Sequence, residues 1–117
     1  MKLFKFITLP VLIALLLVGC SSDKKSDMEK FLAQDKDKYA LFVVGEELDL
    51  QEFESENIRN IESIFNASSL KRAKDNYPFL ELKKSPTFIV FNHEEKVYST
   101  DNFSNLIEYL KTNKDAS

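Results

Sequence analysis

The 117-residue sequence predicts one small α/β domain, and three stretches of it carry this prediction. Tyr39–Val44 holds six consecutive apolar residues of mostly β-branched and aromatic type, the pattern of a central strand buried on both faces. Thr87–Phe91 and Lys96–Thr100 flank four polar residues, which is typical of a hairpin. A closing helix is predicted by apolar residues at i, i+3, i+4 and i+7, namely Phe103, Leu106, Ile107 and Leu110.

The composition excludes several classes of site. The only glycines are Gly19 and Gly45, so neither a phosphate-binding G-x-x-x-x-G-K loop nor a dinucleotide-binding G-x-G-x-x-G turn is present. One cysteine, Cys20, and one histidine, His93, cannot form an intrachain disulfide, a C-x-x-C pair or a His/Cys zinc site. We therefore expect no metal and no cofactor.

The N-terminus has the composition of an export signal. Lys2 and Lys5 precede an apolar run of 13 residues over positions 6–18, interrupted by Pro10. A helix of that length rises about 20 Å, whereas the hydrocarbon core of a bilayer is about 30 Å thick. The run therefore predicts a cleaved signal peptide over residues 1–19 rather than a membrane-spanning anchor.

The segment Leu17-Val18-Gly19-Cys20 resembles the lipobox of bacterial lipoprotein precursors. The resemblance implies that Cys20 receives a diacylglyceryl group and becomes the N-terminus, so that its acyl chains hold the protein on the extracytoplasmic face of a bacterial membrane. Residues 20–27 would form a lipidated tether and residues 28–117 the domain. A chance cysteine at the end of an ordinary secretory signal is the alternative.

The charge distribution argues against nucleic acid as a partner. Without residues 1–19 the chain keeps 14 basic and 19 acidic side chains, a formal charge of −5. Positions 46–62 hold seven acids and one base, whereas positions 71–84 hold five bases and two acids. Such an uneven distribution is typical either of faces that orient a partner or of ordinary solvated surfaces.

Two assignments in the first half of the domain rest on short patterns. Met28, Phe31 and Leu32 fall at helical spacing, which predicts a helix over 28–34, followed by a charged connection over 35–38. Asp49, with Glu52 three residues later, predicts the N-cap of the next helix.

The stretch 50–65 allows two interpretations. Its apolar residues lie on one arc of a helical wheel, which favours a single helix. The poor helix formers at 55–57 and the β-branched residues at 58–65 favour instead a helix over 50–57 followed by a strand over 59–65.

The second half of the domain contains clearer boundaries. Ser68 or Ser69 is predicted to cap a helix that ends at Pro78 and carries Leu70, Ala73 and Tyr77 on one face. Asp101 is predicted to cap the closing helix. His93 falls in the hairpin turn, where we expect it to be exposed.

The stretch that runs from Ser85-Pro86-Thr87-Phe88-Ile89-Val90-Phe91 through the hairpin to the closing helix resembles the C-terminal half of thioredoxin-like domains. The resemblance implies a central mixed sheet flanked by helices, with strand, helix, strand, helix, strand, strand and helix in order. It therefore favours a strand near Ile61. It also implies a cis bond before Pro86, although the sequence by itself leaves this isomer open.

The place of the family's C-x-x-C reads Gly45-Glu46-Glu47-Leu48-Asp49, without a thiol. The resemblance therefore implies the fold without the redox activity. It also implies that the backbone of Ser85 can pair with an extended peptide, which makes Ser85, Pro86, Gly45 and Glu46 the candidate peptide-binding residues. The alternative is that Pro86 only begins a strand where no ladder N–H is needed.

Together these features predict a lipoprotein that acts by binding an exported protein or peptide, as an accessory module. A second hypothesis is a small lipoprotein that occludes or regulates a membrane protein. The third is an enzyme, for which Glu46, Glu47 and Asp49 are the available carboxylates.

Overall fold

The computed structural model describes residues 27–116, and the chain from Phe31 onward forms one compact unit. Its centre is a four-stranded mixed sheet of order β2-β1-β3-β4. The strands are β1 Tyr39–Val44, β2 Ile61–Ala67, β3 Thr87–Phe91 and β4 Lys96–Thr100, and the helices are α1 Leu50–Glu54, α2 Leu70–Asn76 and α3 Phe103–Thr112. Strand β1 pairs parallel with β2 and antiparallel with β3, which pairs antiparallel with β4. The α/β class is thus confirmed.

The first strand is the buried centre of the sheet, as predicted. All six residues of β1 are buried, and successive side chains point to opposite faces. Leu41 and Val43 join a cluster that contains Phe53 of α1 and both Leu106 and Leu110 of α3. We call this side, packed against α1 and α3, the helix-covered face.

The opposite side is packed mainly with aromatic rings, and we call it the aromatic face. Its rings belong to Phe31, Phe42, Phe65, Tyr77, Phe79 and Phe91. Phe42 and Phe65 are cross-strand partners whose ring centroids lie 5.5 Å apart at an interplanar angle of 8°. Tyr77, which follows α2, meets the same two rings edge-on at 5.7 and 5.8 Å. Aromatic pairs at such distances stabilise the fold beyond the contribution of burial alone.

The stretch 50–65 contains a helix and a strand, so the single-helix interpretation is wrong. Asp49 caps α1 by accepting a hydrogen bond from the Glu52 N–H at 3.2 Å. The chain then reverses at Asn57, whose φ of 63° lies in the left-handed region. This reversal buries Ile58, 4% exposed, and directs the next residues into the sheet.

The helix predicted over 28–34 is also wrong, because between residues 27 and 38 only residues 27–29 are helical. The N–H of Ala33 donates to the Asn92 carbonyl at 2.9 Å. The N–H groups of Gln34 and Asp35 donate to the two carboxylate oxygens of Glu62, at 2.8 and 2.9 Å. These tertiary partners replace the helical carbonyls that local spacing suggested.

The later elements confirm the hairpin and the helix after Ser69, but the cap of the last helix differs. Asn102 caps α3 and accepts from the Asn105 N–H at 3.1 Å. Asp101, the predicted cap, forms an ion pair with Lys84 instead. The hydrogen bond and charge of Lys84 hold the pKa of the Asp101 carboxyl below its usual value.

The C-terminal tail is fastened beside the start of β1. The Tyr39 hydroxyl donates to the Asn113 carbonyl at 2.9 Å, and the Asn60 amide donates to the Lys114 carbonyl at 2.9 Å. Burial, together with Tyr109, raises the pKa of Tyr39 to about 12. Ala116 is buried, so the tail contributes to the core.

The predicted signal peptide over residues 1–19, the lipid attachment site Cys20 and all but the last residue of the tether lie outside the described residues. Across positions 27–116, no helix is long and apolar enough to cross a membrane.

Candidate functional site

The loop after β1 meets the loop before β3 at one end of the sheet. The last residue of β1 pairs with Thr87, which brings Gly45 against the Ser85–Pro86 bond. Gly45 has a φ of +91°, and a Cβ placed on it would lie 1.9 Å from the Ser85 Oγ and 3.1 Å from the Pro86 Cα. Only glycine fits this close approach without movement of a neighbour.

The structure thus brings together three of the predicted site residues, and Glu46 follows directly in the chain. The Ser85–Pro86 bond is cis. Ser85 is exposed and Pro86 is half-buried, while the buried Thr87 hydroxyl donates to the Lys84 carbonyl at 2.6 Å and closes the turn before β3. The backbone before β3 is therefore held in place and reachable from solvent.

A cavity of about 350 Å³ opens where the parallel strands β1 and β2 end. Its lining consists of Gly45, Glu46, Glu47, Asn66, Ala67 and Ser68. Both glutamates are exposed, and none of the lining residues is basic. The cavity therefore offers two carboxylates, an amide and a hydroxyl, which suit hydrogen bonding and the attraction of a cationic group.

Asn66 holds this end of the sheet together, and sequence reasoning missed it. Its side-chain oxygen accepts from the Leu48 N–H at 3.0 Å, and its amide nitrogen donates to the Leu48 carbonyl at 2.9 Å. This two-point bond fixes the 45–49 loop to β2. A usable signal existed, because a polar residue that ends a strand parallel to β1 must lie beside the loop that follows β1.

The three carboxylates available to an enzyme do not share one cavity. Glu46 and Glu47 line the cavity described above, whereas Asp49 caps α1 and lines a separate depression beside Ile64. Across residues 27–116, no group of three or more His, Asp or Glu side chains is arranged to hold a metal ion.

His93 lies at the other end of β3 from Pro86 and takes no part in this site. Its side chain is 32% exposed, so the expectation of an exposed turn residue is wrong. The Nε2 atom lies 3.1 Å from a Glu94 carboxylate oxygen. The Asn92 side chain accepts from the Glu94 and Glu95 N–H groups, both at 2.8 Å, and so orders the turn.

Comparison with known proteins yields no match to a protein-family model and no match to a curated protein.

Proposed function

We propose that this chain is a lipoprotein anchored through Cys20 on the extracytoplasmic face of a bacterial membrane. Its thioredoxin-like domain has no redox centre and binds an extended segment of another exported protein. The observation that carries the binding proposal is the contact of Gly45 with Ser85 and Pro86 beside an acidic cavity.

The thioredoxin-like assignment is supported by the order of the elements. Strand, helix, strand, helix, strand, strand and helix follow one another from β1 to α3, as the resemblance implied. The parallel β1 and β2 and the antiparallel β3 and β4 form a mixed sheet with helices beside it. The loop after β1 and the proline before β3 lie in contact, where the family places its active site.

A binding role is supported by the groups at this site. The sequence holds no cysteine besides Cys20, so no cysteine pair can form at the 45–49 loop. What the site offers is an exposed residue before Pro86, Ser85, and two carboxylates, at Glu46 and Glu47. Backbone pairing with carboxylates nearby suits a peptide that carries basic side chains.

A photo-crosslinking amino acid at position 46, in the full chain in membranes of the native host, tests the binding site. Glu46 is exposed and lines the cavity. We expect ultraviolet light to link position 46 to one or a few exported polypeptides, identified by mass spectrometry. The same amino acid at Glu108, exposed on α3, removes one acid equally and serves as the matched control.

Equal crosslinking from positions 46 and 108 would contradict the proposed site. If the product at position 46 is an integral membrane protein, the hypothesis that the lipoprotein occludes a membrane partner replaces the accessory role.

The anchor is tested separately by the intact mass of the protein from the membrane fraction, alongside a Cys20→Ala variant. We expect a mass of residues 20–117 plus acyl chains, and a variant that is unprocessed or released. A free thiol on a chain that leaves the membrane on washing would contradict the lipoprotein assignment.

A further inference from the structure

The outer edge of β2 lies apart from the Gly45–Pro86 contact and has an unusual composition. In the part of the chain that the structure describes, β2 is the last strand on its side of the sheet. Its seven residues, Ile61–Ala67, include one charge and neither proline nor glycine. That charge, Glu62, has both carboxylate oxygens bound to the N–H groups of Gln34 and Asp35.

Edge strands usually carry features that block pairing with another chain, such as lysines, prolines or a covering loop. Strand β2 has neither proline nor lysine, and its single acid serves the fold. Among residues 27–116 no strand pairs with β2 on its outer side, so its outer backbone groups can pair with an added strand.

The apolar residues around this edge are exposed on both sides of the sheet. Phe65, 43% exposed, and Leu50, 42% exposed, are the two large hydrophobic side chains that stand exposed among residues 27–116. Phe65 lies on the aromatic face, where its ring stacks on Phe42. Leu50 lies on the other side and lines an open depression of about 580 Å³ together with Ile64.

This arrangement matches the geometry of an added strand. The side chains of a strand alternate between the two faces, so alternate residues of a strand added to β2 would cover Phe65 on one side and Leu50 and Ile64 on the other. A helix or a flat protein surface would reach one of these sides only. The occupant that the edge fits is therefore an extended segment with apolar residues on both faces.

The charges around the edge indicate the rest of that segment. Asp49 lines the depression beside Leu50, and Glu46 and Glu47 line the cavity at the end of β2. Neither cavity has a lysine or arginine in its lining. A segment flanked by lysine or arginine would meet these carboxylates favourably, whereas a second copy of this acidic edge would bring like charges together.

We propose that the outer edge of β2 is a second binding surface, which takes an extended segment of another polypeptide as a fifth strand, with apolar residues on both faces of that segment and basic residues at its ends. Phe65 anchors the segment on the aromatic face, Leu50 and Ile64 anchor it on the helix-covered face, and the carboxylates of Glu46, Glu47 and Asp49 select for basic flanks. This surface shares Glu46 and Glu47 with the site of the proposed function, but not the Ser85–Pro86 backbone.

Synthetic peptides test the proposal directly. The probe is a fluorescent peptide with the central sequence Val-Val-Thr-Thr-Val-Val-Thr, which places valines on both faces of a strand, and with two lysines at each end. It is titrated with the full chain in detergent micelles and followed by anisotropy. The controls are the same peptide with glutamates in place of lysines, and the same peptide methylated on alternate backbone nitrogens, which removes the donors needed for strand pairing. We expect both controls to bind at least ten-fold more weakly.

Matched substitutions place the binding on the edge. Phe65→Lys on β2 and Ser99→Lys on β4 add the same charge to opposite edges of the sheet, and both sites are exposed. We expect Phe65→Lys to weaken binding of the lysine-flanked peptide at least ten-fold and Ser99→Lys to change it less than two-fold. Leu50→Lys, at an exposed helix position, gives a second reading should Phe65→Lys disturb the fold, as judged by circular dichroism.

Three results would each overturn the proposal: no saturable binding of the lysine-flanked peptide up to about 1 mM, equal binding of the N-methylated peptide, or unchanged binding in both Phe65→Lys and Leu50→Lys. A normal photo-crosslink at position 46 together with any of these would leave the Gly45–Pro86 site intact and remove the β2 edge alone.

Discussion

The helix-covered face and the aromatic face of the sheet are packed in different ways. On the first, a mixture of aliphatic and aromatic side chains of β1 and β3 meets α1 and α3, and much of the packing comes from α3, whose Leu106 and Leu110 are buried. On the second, α2 buries Ala73 alone, and rings from five separate segments of the chain pack together, with five of them around Phe31 and three around Phe42.

A face of a sheet can therefore be covered without a long helix when aromatic side chains from several segments of the chain pack on it. A buried aromatic side chain removes about 150–250 Å² of surface from solvent, so a few such side chains can cover a sheet face in place of a helix. Because the rings come from segments that lie far apart in the sequence, each one links distant parts of the chain. Removal of a central ring should therefore cost more on the aromatic face than on the helix-covered face.

The largest loss of stability is expected from Phe42→Ala on the aromatic face. Phe53→Ala on the helix-covered face is the matched comparison. Both side chains are fully buried, but Phe42 meets three other rings within 6 Å, whereas Phe53 meets one, that of Phe103, at 6.1 Å. We expect Phe53→Ala to lower the free energy of unfolding by about 4 kcal/mol and Phe42→Ala by about 1 kcal/mol more. Urea unfolding followed by circular dichroism measures both. A larger loss of stability in Phe53→Ala would contradict the expectation that a central ring contributes more on the aromatic face.

The next effect is expected from Gly45→Ala, at the end of the sheet and outside both faces. The new Cβ would meet the Ser85 Oγ at 1.9 Å, and the backbone would be held at a positive φ, so we expect a loss of about 2 kcal/mol. The Ser85→Ala change removes the nearest atom, so the double variant should recover part of this loss in urea unfolding. Strict additivity of the two single changes would show that the loops do not touch.

Tyr39→Phe tests the fastening of the C-terminal tail. Loss of the hydrogen bond to the Asn113 carbonyl should lower the free energy of unfolding by about 1 kcal/mol near neutral pH. The folded state raises the pKa of Tyr39 from 10.0 to about 12, so it holds this proton more tightly than the unfolded chain does. The stabilisation is therefore complete below pH 10 and is lost as the pH rises towards 12.

Unfolding titrations between pH 8 and pH 12 check this direction. The wild-type chain should lose stability more steeply than Tyr39→Phe above pH 10, because the variant lacks the titrating group. Parallel curves would mean that Tyr39 ionises as freely in the folded protein as in the unfolded chain.

The smallest expected effect is the difference in stability between the Asn102→Ala and Asp101→Ala variants at the start of α3. Asn102→Ala removes the cap of the helix that packs on the helix-covered face, and we expect a loss of about 1 kcal/mol. Asp101→Ala removes only a solvent-exposed ion pair with Lys84, so its effect on thermal unfolding should be smaller. A larger loss of stability in Asp101→Ala than in Asn102→Ala would indicate that Asp101 caps α3.

Sequence patterns were sufficient to identify the elements whose burial is uniform or strictly periodic. Tyr39–Val44 is apolar at every position because β1 has neighbours on both sides and cover on both faces, and no other element fits that run. The hairpin and α3 follow from local turn chemistry and from spacing along one helix face. The candidate site residues Gly45, Ser85 and Pro86 came from a resemblance, and the fold brings all three into contact.

The remaining assignments depend on contacts between distant segments, and in each case a distant partner outweighed a local preference. Glu62 takes the N–H groups that a helix over 28–34 would have used, and Lys84 takes the carboxylate that would have capped α3. Asn66 fixes the loop after β1, and its place beside that loop follows only once β2 is known to pair parallel with β1. Spacing and propensity describe what a segment prefers alone, whereas hydrogen bonds between residues far apart in the chain exist only after the sheet has assembled.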